Sequence, residues 1–331
     1  MKDVLLILAG ALAGGLGWGL RGQVGHEIGA MAPGALVAAV LVAAAHRAGF
    51  GPEVLLLVGV FAAALSIGGN MTYGQTLGLC HGPPELRRYW WGLLGCGIKG
   101  AVWWGLGMLL AVAMTSRLPS KARAAVVLAS LVGGLVGYLL LNRPFAPPKA
   151  LPRVYFSGPL GAPGKPRHET WGALAGAMLC GLLAYVFAIG AAGPEVRQPL
   201  LRAALLLIGA GVLGGGLGFS LGEAAQAWGA LKVPFGARVQ QWLDWWKVME
   251  VTFGLIAGAV VTVGWLLALR LFHSTGAGPG LPLGADPWHW LPAGIGDRTA
   301  SLAVAVAVGL PYVLWQVHWA PAERLVDVPL V

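Results

Sequence analysis

Arg21, Gln23, His26 and Glu27 stand together in the stretch GGLGWGLRGQVGHEIGAM (14–31), with a long apolar run on either side. A guanidinium, an amide, an imidazole and a carboxylate this close can hold an anion, pass a proton or pair with one another. Polar residues gather at later breaks too: Tyr73, Gln75 and His81; Arg167, His168 and Glu169; Glu223 and Gln226; Gln316 and His318. Two charges stand inside apolar runs, Lys99 and Glu250, and Asp244 and Lys247 precede Glu250 at helical spacing, on one face.

Two chemistries fit these residues. Arg21, Gln23, Tyr73, Gln75, Lys99, Lys247 and Glu250 are candidates for binding a solute or coupling its movement to a proton. Glu27, Glu169, Glu223 or Glu250 are alternatively general bases, with His26 or His168 as acid-base partner and arginines holding phosphate. Plainer readings stand beside these. Arg21 and Glu27 would pair to pin a hairpin, and His26 and His168 would be satisfied interfacial histidines. Adjacent His-Glu residues diverge by about 100° on a helix, and HExxH spacing is absent, so no metal site is expected. No GxSxG or phosphate loop occurs, and nothing identifies a cofactor. GAGVLG (209–214) fits GxGxxG, but it lies inside an apolar run with no strand before it. NMT (70–72) fits a glycosylation acceptor, again within an apolar run.

The elements that must position these side chains follow from composition. The chain is 57% hydrophobic and 11% charged, with a mean hydropathy of +0.73. Soluble domains carry roughly 25% charged residues. Runs of about 20 apolar residues parted by short polar links predict an all-α polytopic membrane protein, a single membrane domain over 1–331. Nine transmembrane helices are expected, at 4–22, 28–46, 53–75, 90–114, 123–142, 169–190, 201–222, 240–270 and 299–319. Small residues every four positions (Gly10 and Gly14; Gly214, Gly218 and Gly222; Gly254 and Gly258) predict a compact glycine-rich bundle.

The net charge of +9 comes from Lys and Arg scattered over the links, which suits lipid head groups rather than nucleic acid. They divide evenly between the two faces, so absolute orientation is open. The three cysteines form no CxxC. The Pro-rich link 143–168 reads as a connector or, through Lys149, Arg153 and Tyr155, as a lid. The link 271–298 would rest Trp288 and Trp290 in the interface.

Internal similarity adds a further expectation. LLILAGALAGGLGWGLRGQ (5–23) resembles LLLIGAGVLGGGLGFSLGE (205–223), and GHEIGAMAPGALVAAV (25–40) resembles RHETWGALAGAMLCGLL (167–183). MTYGQ (71–75) is a shorter echo. Repeat units at 4–46 and 201–270 are expected, and the N-terminal run, having a counterpart, reads as a retained span rather than a signal peptide.

With the N-terminus on side A, the polar breaks fall on side B. Lys99 and Glu250 would each lie roughly 14–15 Å below side B, near the midplane. Matching depth predicts a Lys99–Glu250 pair, with Trp103 one turn beyond the lysine. The hairpin RGQVGHE would wall a cavity open to side B, with a helix N-terminus favouring an anion there. The function expected is a secondary transporter for a small polar or anionic solute, with Glu250 as the proton-coupling group. The alternatives are a membrane-embedded enzyme for a lipid or lipid-linked substrate, and a structural subunit with a protein partner in the membrane.

Overall fold

The computed structural model describes residues 2–24, 26–49, 56–69, 76, 79–80, 86–115, 118–142, 170–191, 194–230, 238 and 244–274. The expected span 299–319, the link 143–168 and residues 275–298 lie outside the described residues.

The named elements are all helices: α1 (Lys2–Val24), α2 (His26–Arg47), α3 (Leu56–Gly69), α4 (Leu86–Thr115), α5 (Ser120–Gly137), α6 (Trp171–Gly190), α7 (Pro194–Ala230) and α8 (Trp245–Ser274). A π turn, Tyr138–Asn142, extends α5. Among the described residues, seven helices are long and apolar enough to cross a membrane. Of the expected span over 53–75 the described part is α3, 14 helical residues, and residues 53–55 and 70–75 lie outside the described residues. Conversely α7 has 37 residues: it begins at Pro194, a favoured first helical position, and continues past the apolar run because nothing in Glu-Ala-Ala-Gln (223–226) stops a helix.

Successive helices alternate in direction, and glycine contacts show it. A Cβ on Gly14 would collide with the Gly254 carbonyl oxygen, and one on Gly258 with that of Gly10. Thus α1 runs antiparallel to α8, and the expected glycine ridges of these two helices close on each other. Likewise Gly133 faces Gly176 and Gly137 faces Gly172 between α5 and α6, and Gly100 faces Gly215 between α4 and α7. Where lipid is as apolar as the side chains, close backbone approach replaces hydrophobic burial as the source of packing energy.

Six helices close a ring in the order α4, α7, α8, α1, α2, α3 and back to α4. The α5–α6 hairpin lies outside it and docks mainly through α6 on α4. Rings from five ring helices touch at the centre: Trp18, Phe61, Trp103, Trp104, Phe219 and Phe253. Trp103 donates to the Leu65 carbonyl and Trp265 to the Leu41 carbonyl, each at 2.8 Å, which ties α4 to α3 and α8 to α2.

Candidate functional site

The antiparallel α1–α8 register builds the first part of the site. Seven residues beyond Gly14 stands Arg21, and seven residues before Gly254 stands Lys247. Two turns from the glycine contact, the polar end of α1 is therefore carried to the first turns of α8. There Lys247 Nζ lies 2.7 Å from Glu250 Oε2, and Arg21 Nη1 lies 3.4 Å from Glu250 Oε1. Arg21 and Glu250 are each 2% exposed, whereas Lys247 is 26% exposed. Lys247 also donates to the Gly19 carbonyl at 3.2 Å, binding α8 to the last turns of α1. It turns inward rather than snorkelling to head groups. The Arg21 guanidinium stands 5.1 Å from the centroid of the Trp18 ring, so the site's cation–π contact is on α1.

Asp244 sets the start of α8. Its Oδ1 accepts from Trp246 N at 3.1 Å and its carbonyl accepts from Val248 N at 3.0 Å, an N-cap arrangement. Asp244 is exposed and ends the helix instead of extending the charged stripe of Lys247 and Glu250.

The second part is carried by α4 and α7. Lys99 is fully buried, and its Nζ donates to Thr76 Oγ1 at 2.5 Å. The expected Lys99–Glu250 pair gives way to Arg21–Glu250 and Lys247–Glu250. The reason is lateral: α8 shares its glycine contact with α1, while Lys99 lies next to Gly100, whose close neighbour is Gly215 of α7. Glu223 is also fully buried, on the last turns of α7, and stands beside Cys80. Burial pushes the Cys80 thiol well above its ordinary range, and the neighbouring Glu223 carboxylate pushes it further. That thiol donates to the Tyr89 carbonyl at 3.7 Å. Gln226 is buried one turn further along α7.

Beneath the charges lie the aromatic rings. Trp18 meets Trp103 edge-on at 5.0 Å and Phe253 at 4.6 Å, and Phe219 stacks on Phe253 at 4.9 Å with 13° between planes. Trp18, Trp103, Phe219, Met249 and Phe253 close up beside Arg21 and Glu250, and the space they leave has no room for a water molecule.

Of the residues singled out from sequence, the structure brings Arg21, Lys247 and Glu250 together, and it gives Lys99 the hydroxyl of Thr76 as a partner. Gln23 lies within α1, and His26 and Glu27 open α2, but their side chains lie outside the described residues. Tyr73, Gln75, His81, Arg167, His168, Glu169, Gln316 and His318 also lie outside the described residues. Sequence reasoning missed Trp18, Phe219, Met249, Phe253 and Thr76. Trp18 carried a usable signal, since it precedes Arg21 by three residues and so shares its helix face. Among the described residues, no three His, Cys, Asp or Glu side chains gather as a metal site would require.

The geometry offers a carboxylate held between two cations from different helices, over an apolar floor. That arrangement can exchange one anion for another, or take up a proton and release its cations. No protein-family model, curated protein or solved structure matches the chain.

Proposed function

We propose that this chain is a secondary transporter for a small anionic solute, with Glu250 as the proton-coupling group and Arg21 and Lys247 as the solute's first contacts. One observation carries the reading: a carboxylate 2% exposed takes its ion pairs from α1 and from α8 at once. A buried pair that served only to pin two helices would be no more stable than apolar residues of the same volume. Its use is in being broken. A proton on Glu250 cancels its pull on both cations, which then favour an incoming anion, and proton plus anion leave the layer's net charge unchanged.

The pairing supports an anion over a cation, since the single carboxylate Glu250 is held by two cations, Arg21 and Lys247. The aromatic rings below would be the barrier that parts to give access to side A. Gln23, Tyr73 and Gln75 remain candidates to complete the site. The similar segments 5–23 and 205–223 fall on α1 and α7, which pack on either side of α8. That placement supports a duplicated origin, with the two repeat-like helices flanking the one that carries Glu250.

The test works whatever the solute is. Cys80, Cys96 and Cys180 are replaced, cysteine is placed by Glu250→Cys, and reconstituted protein is labelled from each side with a membrane-impermeant thiol reagent. Labelling from both sides is expected. Labelling from side B alone overturns transport in favour of an enzyme that draws a lipid head group into the layer, and no labelling overturns both.

A further inference from the structure

We infer that the outer seam of α4 and α7 binds an anionic phospholipid of the side-B leaflet, with its phosphate on Arg87 and Arg88 and one acyl chain in the groove below them. This goes beyond the transporter reading and does not depend on it. The seam is set by the antiparallel contact of Gly100 with Gly215. Six residues toward side B from each glycine stand Leu94 and Leu221, and thirteen residues from each stand Arg87 and Trp228. Each of these pairs therefore lies at one depth.

Arg87, Trp91, Leu94, Ile98, Ala101 and Gly105 recur at helical spacing and share one face of α4. As far as Ala101 that face is exposed or half-buried, whereas from Val102 to Leu109 every residue of α4 is buried. The change comes where α6 docks, with Met178 against Gly105 beside Val212 of α7. So α6 closes the seam beyond Ala101 and leaves it open toward side B. The floor of the open part is low. Gly97, Ala101, Gly216 and Ser220 meet there, each half-buried, and the exposed side chains of Leu94, Leu217 and Leu221 stand beside them. Short side chains between long ones leave an apolar groove. From Trp90 to Ala101 it runs about 16 Å, half of a hydrocarbon core of about 30 Å.

Charge decides what fills it. Arg87 is exposed and Arg88 half-buried, and neither guanidinium has a hydrogen bond or ion pair among the described residues. Three other cations at helix ends are answered from within the chain: Lys247 by Glu250, Arg270 by Asp3, and Arg123 by the Met114 carbonyl. Two guanidiniums above an apolar groove match a phosphate joined to a hydrocarbon chain. A free phosphate would leave the groove uncovered, and a zwitterionic head group would bring its own cation against the arginines. Tyr89 and Trp90 meet edge to face at 5.6 Å, and Trp228 meets Trp245 in the same way at 6.1 Å. These rings mark the head-group level on both helices.

The experiment uses the full chain with Cys80, Cys96 and Cys180 replaced, reconstituted in phosphatidylcholine vesicles that carry a small fraction of brominated lipid. A bimane on one introduced cysteine reports quenching by the bromines. Leu94→Cys puts the probe on the groove wall. Leu135→Cys is the control: Leu135 is 59% exposed against 51% for Leu94, and it lies seven residues from Asn142 as Leu94 lies seven from Arg87. Brominated phosphatidylglycerol is expected to quench the probe at position 94 at a lower fraction than brominated phosphatidylcholine does. At position 135 the two lipids should quench alike. Arg87→Gln should cut the preference at position 94 about fivefold, the worth of one cation at an anionic surface. Arg87→Gln with Arg88→Gln should abolish it, and with no internal ion pair lost the unfolding temperature should hold. A preference that survives the double substitution overturns the head-group assignment. Equal quenching by the two lipids at position 94 reduces the seam to ordinary lipid contact, and an equal preference at position 135 assigns it to the net charge of the whole chain. Either result overturns the site.

Discussion

Two helix pairs in this molecule are closed by the same device and do different things with it. α1 and α8 meet through Gly10, Gly14, Gly254 and Gly258, and α5 and α6 meet through Gly133, Gly137, Gly172 and Gly176. Both pairs are antiparallel, and both carry a polar contact beyond the glycines toward side B. In α1–α8 that contact is Arg21, Lys247 and Glu250. In α5–α6 it is Asn142, whose Oδ1 accepts from Ala173 N at 3.2 Å and caps the start of α6. One pair uses close approach to bring charges together inside the ring. The other uses it to hold a hairpin against the ring's outside. Glycine ridges thus explain how helices meet in lipid, and the residues two turns further on decide what the meeting is for.

The largest test of this comparison adds bulk at the contacts themselves. Leucine at Gly254 or at Gly176 cannot fit without separating the backbones, because even a Cβ there collides with the opposing carbonyl. Each substitution is expected to cost about 3 kcal/mol or more, read as thermal unfolding in detergent. The pairs should then part company. Below its lowered melting temperature, Gly176→Leu should leave two-sided thiol labelling of a cysteine at position 250 intact, and Gly254→Leu should not. Intact labelling in Gly254→Leu would break the claim that the α1–α8 register makes the site.

Next in size is the charged trio. Arg21→Met leaves Glu250 buried with only its partly exposed lysine, and a loss of about 3 kcal/mol is expected. Lys247→Met removes a partner that water partly replaces, so about 1 kcal/mol is expected. The informative variant is double: Arg21→Met with Glu250→Leu should recover most of the lost stability, because well-packed apolar residues match a buried pair. It should at the same time lose all anion binding. Recovery of stability without function would separate a working pair from a pin, and failure to recover would return Arg21 and Glu250 to a structural role.

The spans were readable because apolar runs of membrane length have few other uses. The ends were less so, since a helix does not stop where its hydrophobic stretch stops, as α7 shows. Residues inside the polar layer were recognisable one by one, for a charge among apolar neighbours is costly in any arrangement. Their pairing was not. Depth is a single coordinate, and Lys99 and Glu250 match on it, yet the partner of Glu250 depends on which helix lies beside α8. The ridges at Gly10–Gly14 and Gly254–Gly258 were visible in sequence, but not that they face each other. Once they do, the positions of Arg21 and Lys247 follow from counting turns. Phe253 was hidden for a different reason, because among nine phenylalanines nothing in the pattern marks the ones that meet.

The smallest test reverses the ranking of the two pairs between stability and binding. Asn142 is 4% exposed and Asp244 is exposed, and each accepts a hydrogen bond at the start of a helix. Asn142→Ala should cost about 1 kcal/mol, since no water readily takes over a buried cap. Asp244→Ala should cost about half of that, because solvent reaches the first turn of α8. Binding should run the other way. The turn that Asp244 caps carries Lys247, so its loss lets that turn fray and is expected to raise the dissociation constant of the transported anion about twofold, which corresponds to the few tenths of a kcal/mol that a frayed cap sets free. Asn142→Ala, acting on the hairpin outside the ring, should leave the constant unchanged. Equal effects on binding would mean that the hairpin and the ring move as one body, and the division between a holding pair and a working pair would have to be given up.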